Sequence, residues 1–361
     1  MANQKKHRLY DKWRNTYYAG TLISIAPPNM CISWKQQGDI IFYYYNYGWI
    51  KEDMDISIII CTFNRSDSLK KTLQTIKEMT VPQGIVWELL VVDNNSKDDT
   101  RATVKAFQKN TSIRCAYYFE NRQGQSFARN TGIQNASGNI IVFTDDDVIV
   151  DKSWIKNISD AFQGNTDVAC IGGKILPVWE SPCPEWIKGE LLNILALCDL
   201  GDETKILSEP KVWGANLSFK TSIIREYGFF DTKLGHKGGK LYGGEETKYL
   251  QTLINAGEKI MYFPGALVYH CISKSRLKKK YFRKWYFDTG ERSAIEMGEY
   301  NKRNIIGIPL IVLRRVLKEM FKFLKSKIVD PDSSFWCQMI LFYNMGIIWG
   351  RIKYKFGDND H

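Results

Sequence analysis

From residue 55 onward the chain alternates short, nearly unbroken aliphatic runs with stretches in which apolar residues return every three or four positions. The runs at 57–62, 88–92, 113–119, 140–143 and 168–175 predict strands. The stretch carrying Leu69, Leu73 and Ile76 predicts a helix, with Ser66 or Asp67 as its N-cap, and further helices are predicted over 100–108, 126–135 and 154–162. Strands that are aliphatic on both faces and alternate with amphipathic helices belong to an α/β fold with a mainly parallel sheet covered on both sides. In such sheets ligands bind beyond the carboxyl ends of the strands. The pattern then becomes more mixed: a Pro- and Trp-rich loop at 177–186, the segment 214–220, a short helix, a glycine-rich loop, a helix over 247–256 and a strand at 259–262.

Composition changes this picture mainly at the two ends. The chain has 361 residues, 44% of them hydrophobic, and a formal net charge of +11. Three regions are expected: an N-terminal extension over 1–54, a catalytic domain over 55–272 and a basic, aromatic helical tail over 273–361. The positive charge concentrates at 275–284 and 313–327, among leucines and aromatics. That pattern points to an anionic membrane surface rather than to nucleic acid. In a helix over 310–324, Leu310, Leu313, Leu317, Phe321 and Leu324 share one face, with basic residues beside it. The uncharged stretch 15–34 contains Pro27 and Pro28, and 335–350 is interrupted by Gln338 and Asn344, so neither is expected to span a membrane. No secretory signal is visible. The eight cysteines are scattered, as reduced thiols in a cytoplasmic protein would be. A peripheral position on the cytoplasmic face of the membrane follows.

The chemistry is concentrated where strands end. The run 140–144 leads into Asp145, Asp146 and Asp147. Carboxylates spaced Asp-x-Asp can share a hard divalent cation that phosphate oxygens complete, so a nucleoside diphosphate is the partner this arrangement calls for; the bland alternative is a solvated acidic turn. Asp93 follows the second strand, where it can accept from a nucleobase or ribose, or cap the next helix together with Ser96. Arg129 can face a nucleotide or brace the Asp triplet. Glu245 and Glu246 follow two glycines at the start of a helix, whose dipole favours the ionised acid. They offer a general base for an attacking hydroxyl, or merely an acidic first turn. His270 is a candidate third metal ligand after a Pro-Gly turn, or a structural histidine.

Taken in order, Ser57-Ile-Ile-Ile-Cys-Thr-Phe-Asn-Arg65, Val91-Val-Asp-Asn-Asn-Ser96, Ala128-Arg-Asn-Thr-Gly132, Phe143-Thr-Asp-Asp-Asp147, Gly214-Ala-Asn216, Gly243-Gly-Glu-Glu246 and His270 resemble the family 2 glycosyltransferases with a GT-A fold. The resemblance covers about residues 55–272. It implies an inverting transfer from a nucleoside-diphosphate sugar to a glycan or lipid-linked acceptor, with Mn2+ or Mg2+ as cofactor. Thr62, Phe63, Asn64, Arg65, Asp93, Asn95, Arg129, Asp145 and Asp146 would then face the donor nucleotide. Asp147, Asp145 and His270 would hold the metal, and Trp213, Gly214, Asn216 and Gly244 would face the acceptor. Glu246 matches the family's base, but the family usually has Glu-Asp where this chain has Glu245-Glu246, so Glu245 stays a second candidate. A nucleotidyl or sugar-nucleotide transferase would call for a glycine-rich, lysine-bearing phosphate loop, which is missing here. A non-enzymatic lipid or nucleic-acid binder would leave the Asp triplet and the acidic turn unexplained.

Overall fold

The computed structural model describes residues 54–241, 243–297, 304–305, 308–329 and 331–356. The extension expected over 1–54, with its uncharged stretch, lies outside these residues except for Met54.

Strands β1 (Ile56–Thr62), β2 (Trp87–Asp93), β3 (Cys115–Phe119) and β4 (Ile140–Asp145) form the parallel half of a nine-stranded sheet, in the order β3-β2-β1-β4. The aliphatic runs of β1, β2 and β4 are buried on both faces, as their unbroken apolar character requires. Helices α1 (Ser66–Lys77), α2 (Thr100–Lys109) and α3 (Gln125–Asn135) are the crossovers. The connection through α3 runs the opposite way along the sheet from the first two, so right-handed crossovers put α3 on the other face. The strand expected at 113–119 begins only at Cys115, because Ile113 packs from the preceding turn.

The second half of the sheet is mixed. Strand β5 (Val148–Val150) leaves the β4 edge and pairs antiparallel with β9 (Lys259–Ile272), while β8 (Asn216–Lys220) runs antiparallel between β4 and β6 (Val168–Trp179). Strand β7 (Lys205–Leu207) also pairs with β9, and α4 (Trp154–Gly164), α5 (Thr221–Tyr227) and α6 (Glu245–Asn255) complete this region. Thr72 and Thr75 on α1 accept the Val148 and Val150 N–H groups, which covers the free edge of β5.

Strand β9 corrects the sequence reading. Pro264-Gly265 is no turn after a strand ending at 262; it is a bulge inside one long strand. Gly173 pairs with Phe263 and Lys174 with Leu267, so the three residues between bow out. Proline has no N–H for the ladder, and a bulge is where a strand tolerates it. The freed carbonyls of Gly265 and Ala266 are taken up by the amides of Asn157 and Asn216.

The C-terminal residues form helices α7 (Lys279–Glu296), α8 (Leu310–Val329) and α9 (Pro331–Phe356), with a small ribbon of β10 (Asn304–Ile305) and β11 (Ile308–Pro309). Phe282 of α7 and Phe335 and Met339 of α9 are buried in the same core as the sheet. Helices α7 and α9 cross at glycines: a Cβ on Gly290 would lie 1.9 Å from the Tyr343 carbonyl, and one on Gly346 would lie 2.0 Å from that of Phe287. Helix α8 differs. Its Ile311, Leu317, Met320, Phe321 and Leu324 face solvent, among Arg314, Arg315 and Lys318. No described helix is long and apolar enough to cross a membrane.

Candidate active site

The register sets the polar residues side by side at the carboxyl ends: Thr62 pairs with Asp93 and Cys61 with Asp145. The loops that follow are tied together. The Asn64 N–H donates to Ser96 Oγ at 2.9 Å, and the Lys97 N–H donates to Asn64 Oδ1 at 2.7 Å. Both loops turn through left-handed asparagines, Asn64 at φ 51° and Asn95 at φ 66°, a conformation asparagine tolerates better than most residues. Neither Ser66 nor Asp67 caps α1. Arg65 occupies the N-cap position, and the Ser66 N–H donates to Asp98 Oδ2 from the neighbouring loop at 2.9 Å. Asp93 is buried, with Oδ1 accepting from the Ser96 N–H and Oδ2 from the Tyr117 hydroxyl, each at 2.8 Å. It caps its own turn while standing at the rim. Phe63 is exposed.

The three aspartates separate because the chain turns at Asp146 and Asp147 instead of continuing as strand. Asp146 is buried and accepts from Thr62 Oγ1 at 2.7 Å and Arg65 at 2.9 Å. Burial pushes its carboxyl up, against the pull of Arg65. Asp147 enters β5 opposite His270, because Val148 pairs with His270 and the Cys271 N–H donates to the Asp147 carbonyl. Its Oδ2 meets Arg65 at 2.9 Å and Arg276 at 3.2 Å, and its Oδ1 lies 3.1 Å from His270 Nε2. Burial works against its charge, yet His270, Arg276 and Arg65 hold its carboxyl well below the ordinary range. A cleft of 340 Å³ opens here, lined among others by Asn64, Arg65, Asp98, Asp147 and Ser273.

His270 Nδ1 donates to the Leu195 carbonyl at 2.8 Å, so the ring's lone pair lies on Nε2, where it accepts from Arg276 at 3.0 Å and would reach a cation only with Arg276 displaced. Asp147 Oδ1 has no hydrogen-bond partner and faces that same nitrogen. Two electron-pair donors facing each other fit a divalent cation with two protein ligands that phosphate and water would complete. Asp145 does not join them: among the described residues no three acidic, histidine or cysteine side chains gather around one point. Of the three metal candidates read from the sequence, the structure brings Asp147 and His270 side by side and does not group Asp145 with them. His270 lies within β9 rather than after a strand.

Glu245 and Glu246 open α6, and Arg129 lies between them, 2.6 Å from Glu245 and 3.6 Å from Glu246. Arg129 is buried against Phe143 and Phe230, and it braces this pair rather than the Asp triplet. A Cβ on Gly214 would lie 1.9 Å from the guanidinium, so only glycine leaves room for it. The two acids divide. Burial, reinforced by the charge of Glu246, pushes Glu245 up to about 8. Burial also penalises charge on Glu246, but Arg129 and the helix-start backbone N–H outweigh it and hold its carboxyl below the usual range. Glu246 is also the more exposed, with 15% of its side chain accessible against 1% for Glu245. Burial thus favours a proton on Glu245, and the charge of the pair is favoured on the more open Glu246.

Two elements aim this pair. On α3, Asn130 exchanges hydrogen bonds with the Phe230 backbone and Ser126 donates to the Leu234 carbonyl, which fixes the loop between α5 and α6. On α7, Asp288 accepts the Leu241 N–H at 2.8 Å and Arg292 donates to the Gly243 carbonyl. Arg276, Asp288 and Arg292 were missed in the sequence. Their charges sit in or beside the basic run assigned to a membrane surface, and only the fold turns them inward.

The acceptor set fares unevenly. Asn216 is 1% exposed, with its amide spent on Trp154 and on the carbonyls of Lys174 and Ala266, so it brackets the sheet and is unavailable to a ligand. Gly214 yields space to Arg129, and Trp213 is half-buried with its indole N–H on the Leu197 carbonyl. Gly244 is the left-handed N-cap of α6, beside the acids.

Residues 57–177 match the family described as Glycosyl transferase family 2. A glucosyl-dolichyl phosphate glucuronosyltransferase of Haloferax volcanii is 27% identical over 227 residues, 62% of this chain and 71% of its own length. The succinoglycan biosynthesis protein ExoM of Rhizobium meliloti is 25% identical over 254 residues, 66% of this chain and 74% of its own. In fold, the chain is similar to the mannosyltransferase PcManGT from Pyrobaculum calidifontis, solved in complex with GDP-Man and Mn2+, with a TM-score of 0.54 and 14% identity over 95% of this chain and 94% of that one. The matched segment carries the strands and aspartates described above; with relatives that are glycosyltransferases and a fold like that of a GT-A enzyme, the chain is a glycosyltransferase on a GT-A fold whose residues 57–177 are similar to family 2.

Proposed function

We propose that the chain transfers a sugar from a nucleoside-diphosphate donor to a hydroxyl of a glycan or lipid-linked acceptor, with inversion, in the synthesis of a surface polysaccharide or glycolipid. The observation that carries this reading is the acid pair at the start of α6, in which Glu246 lies beside Arg129 on the site's more open side with its carboxyl held below the usual range, next to a buried Glu245 pushed up. Glu246 takes the proton of the acceptor hydroxyl as its oxygen attacks the anomeric carbon. The bond from that carbon to the diphosphate oxygen breaks on the opposite face, and the diphosphate leaves. Arg65 and Arg276 lie beside Asp147, where they meet the leaving charge. Asp147 and His270 would hold Mn2+ or Mg2+, which when bound supplies further positive charge to the diphosphate. Asp93 and the tied loops after β1 and β2 would seat the base and ribose.

The exposed apolar stripe of α8, flanked by Arg314, Arg315 and Lys318, supports a peripheral position on the cytoplasmic face of a membrane, near a lipid-linked acceptor. Thermal shifts with UDP, dTDP and GDP, each with and without Mn2+, test the donor site. One nucleotide should raise the melting temperature with Mn2+ present, and Asp147→Ala should lose that shift and at least about a hundredfold in turnover. A product that keeps the donor's anomeric configuration would contradict single displacement.

A further inference from the structure

A cavity of 770 Å³ lies apart from the cleft at Asp147, between the segment 185–191 and the first turns of α9. Trp186, Leu191, Phe335 and Trp336 form its walls, and Glu185, Lys188 and Glu190 stand at its mouth. Its size falls within the range of about 300–1,000 Å³ usual for ligand pockets. The walls are held firmly. Trp186 meets Phe282 and Phe335 edge to face at 5.0 and 4.8 Å, and Tyr286 meets Trp336 at 6.2 Å. Trp336 remains 38% exposed.

The lining selects its occupant. Glu185 and Glu190 are balanced by Lys188 and by Lys279, whose Nζ stands 5.7 and 5.1 Å from the Trp186 and Phe335 ring centres, so the site carries no net charge to favour an anion, although the chain as a whole carries a net charge of +11. A bare lipid chain would cover Glu185 and Glu190 without giving them a hydrogen-bond donor. A sugar ring offers both parts: a C–H face for the indole and hydroxyl donors for the carboxylates. The cavity also shares its supports with the donor side. The 3₁₀ turn Gly189–Leu195 ends at the carbonyl that fixes His270, and α7 begins three residues after Arg276. We infer that this cavity is an acceptor subsite that seats a neutral sugar ring of the glycan being extended, which rests on the glycosyltransferase reading.

Saturation-transfer NMR on the full chain tests it, with methyl glycosides of glucose, galactose, mannose and N-acetylglucosamine as neutral probes, methyl glucuronide as the charged one and dodecyl phosphocholine as the lipid one. At least one neutral glycoside should receive saturation, and more than methyl glucuronide does. Trp336→Ala should weaken its binding roughly 2- to 10-fold, the loss of one stacking partner. Glu190→Gln, an exposed change that spares the packing, should weaken it as well. Nucleotide-induced thermal shifts and donor hydrolysis without acceptor should stay at the wild-type level in both variants. Unchanged glycoside binding in both variants, or saturation confined to dodecyl phosphocholine, overturns the subsite. Wild-type chain that neither binds a nucleotide nor hydrolyses a donor would instead sink the donor-site reading, while the glycoside result would still stand by itself.

Discussion

Glu245 and Glu246 are adjacent carboxylates on one helix turn, yet they are pushed in opposite directions: burial raises Glu245, while Arg129 and the helix-start N–H outweigh burial and lower Glu246. Like charges this close cannot both ionise cheaply in a buried site, and Arg129 stabilises only one net negative charge well. The pH–rate profile follows with a definite sign. Glu246 is competent as a base when ionised, and its carboxyl is held below the ordinary value, so kcat should be flat through neutral pH and fall only below the usual glutamate pKa of about 4.3. Were Glu245 the base, activity would be lost on acidification through about 8. A profile recorded from pH 4 upward by product release distinguishes the two, over whatever part of that range the fold survives by circular dichroism.

Among the elements, those legible in sequence are the ones whose local pattern and final environment agree. Strands β1, β2 and β4 are aliphatic because both faces are covered, and α1 buries the Leu69, Leu73 and Ile76 that announced it. In sequence β9 ends early because Pro264 and Gly265 mimic a turn, and only pairing with β6 reveals a bulge. The direction of Arg129 was equally hidden, since it depends on Gly214 and Glu245, far away in the chain. Helix α7 is the largest such case: its basic start suggested a surface, but its Asp288 and Arg292 grip the loop that delivers Glu245 and Glu246. Asp288→Ala should leave the Leu241 N–H without its partner and cost about 1–3 kcal/mol in a denaturant melt, with a fall in kcat larger than any change in donor KM. Wild-type kcat in that variant would mean that α7 does not position the acids.

At the scale of the whole molecule, α7 and α9 belong to the catalytic core, while α8 turns its apolar stripe outward. Truncation after Ser273 should therefore unfold the protein, because Phe282, Phe335 and Met339 leave the core with it. Membrane binding is better tested by changing Leu317 and Phe321 to Ser in the full chain. The wild type should sediment with anionic vesicles at low salt, each engaged basic residue contributing about 1 kcal/mol, and the variant should stay in solution with an unchanged melting temperature. Equal sedimentation of both would remove α8 as the contact. The central claim is that this chain performs a single displacement with Glu246 as the base. Single-turnover transfer by Glu246→Gln and Glu245→Gln, with donor affinity measured in parallel, tests it most directly. The predicted result is wild-type donor affinity in both, a loss of about 10²–10⁴-fold in the Glu246 variant and a milder loss in the Glu245 variant; a Glu246→Gln enzyme that turns over like the wild type, or faster than Glu245→Gln, would contradict it.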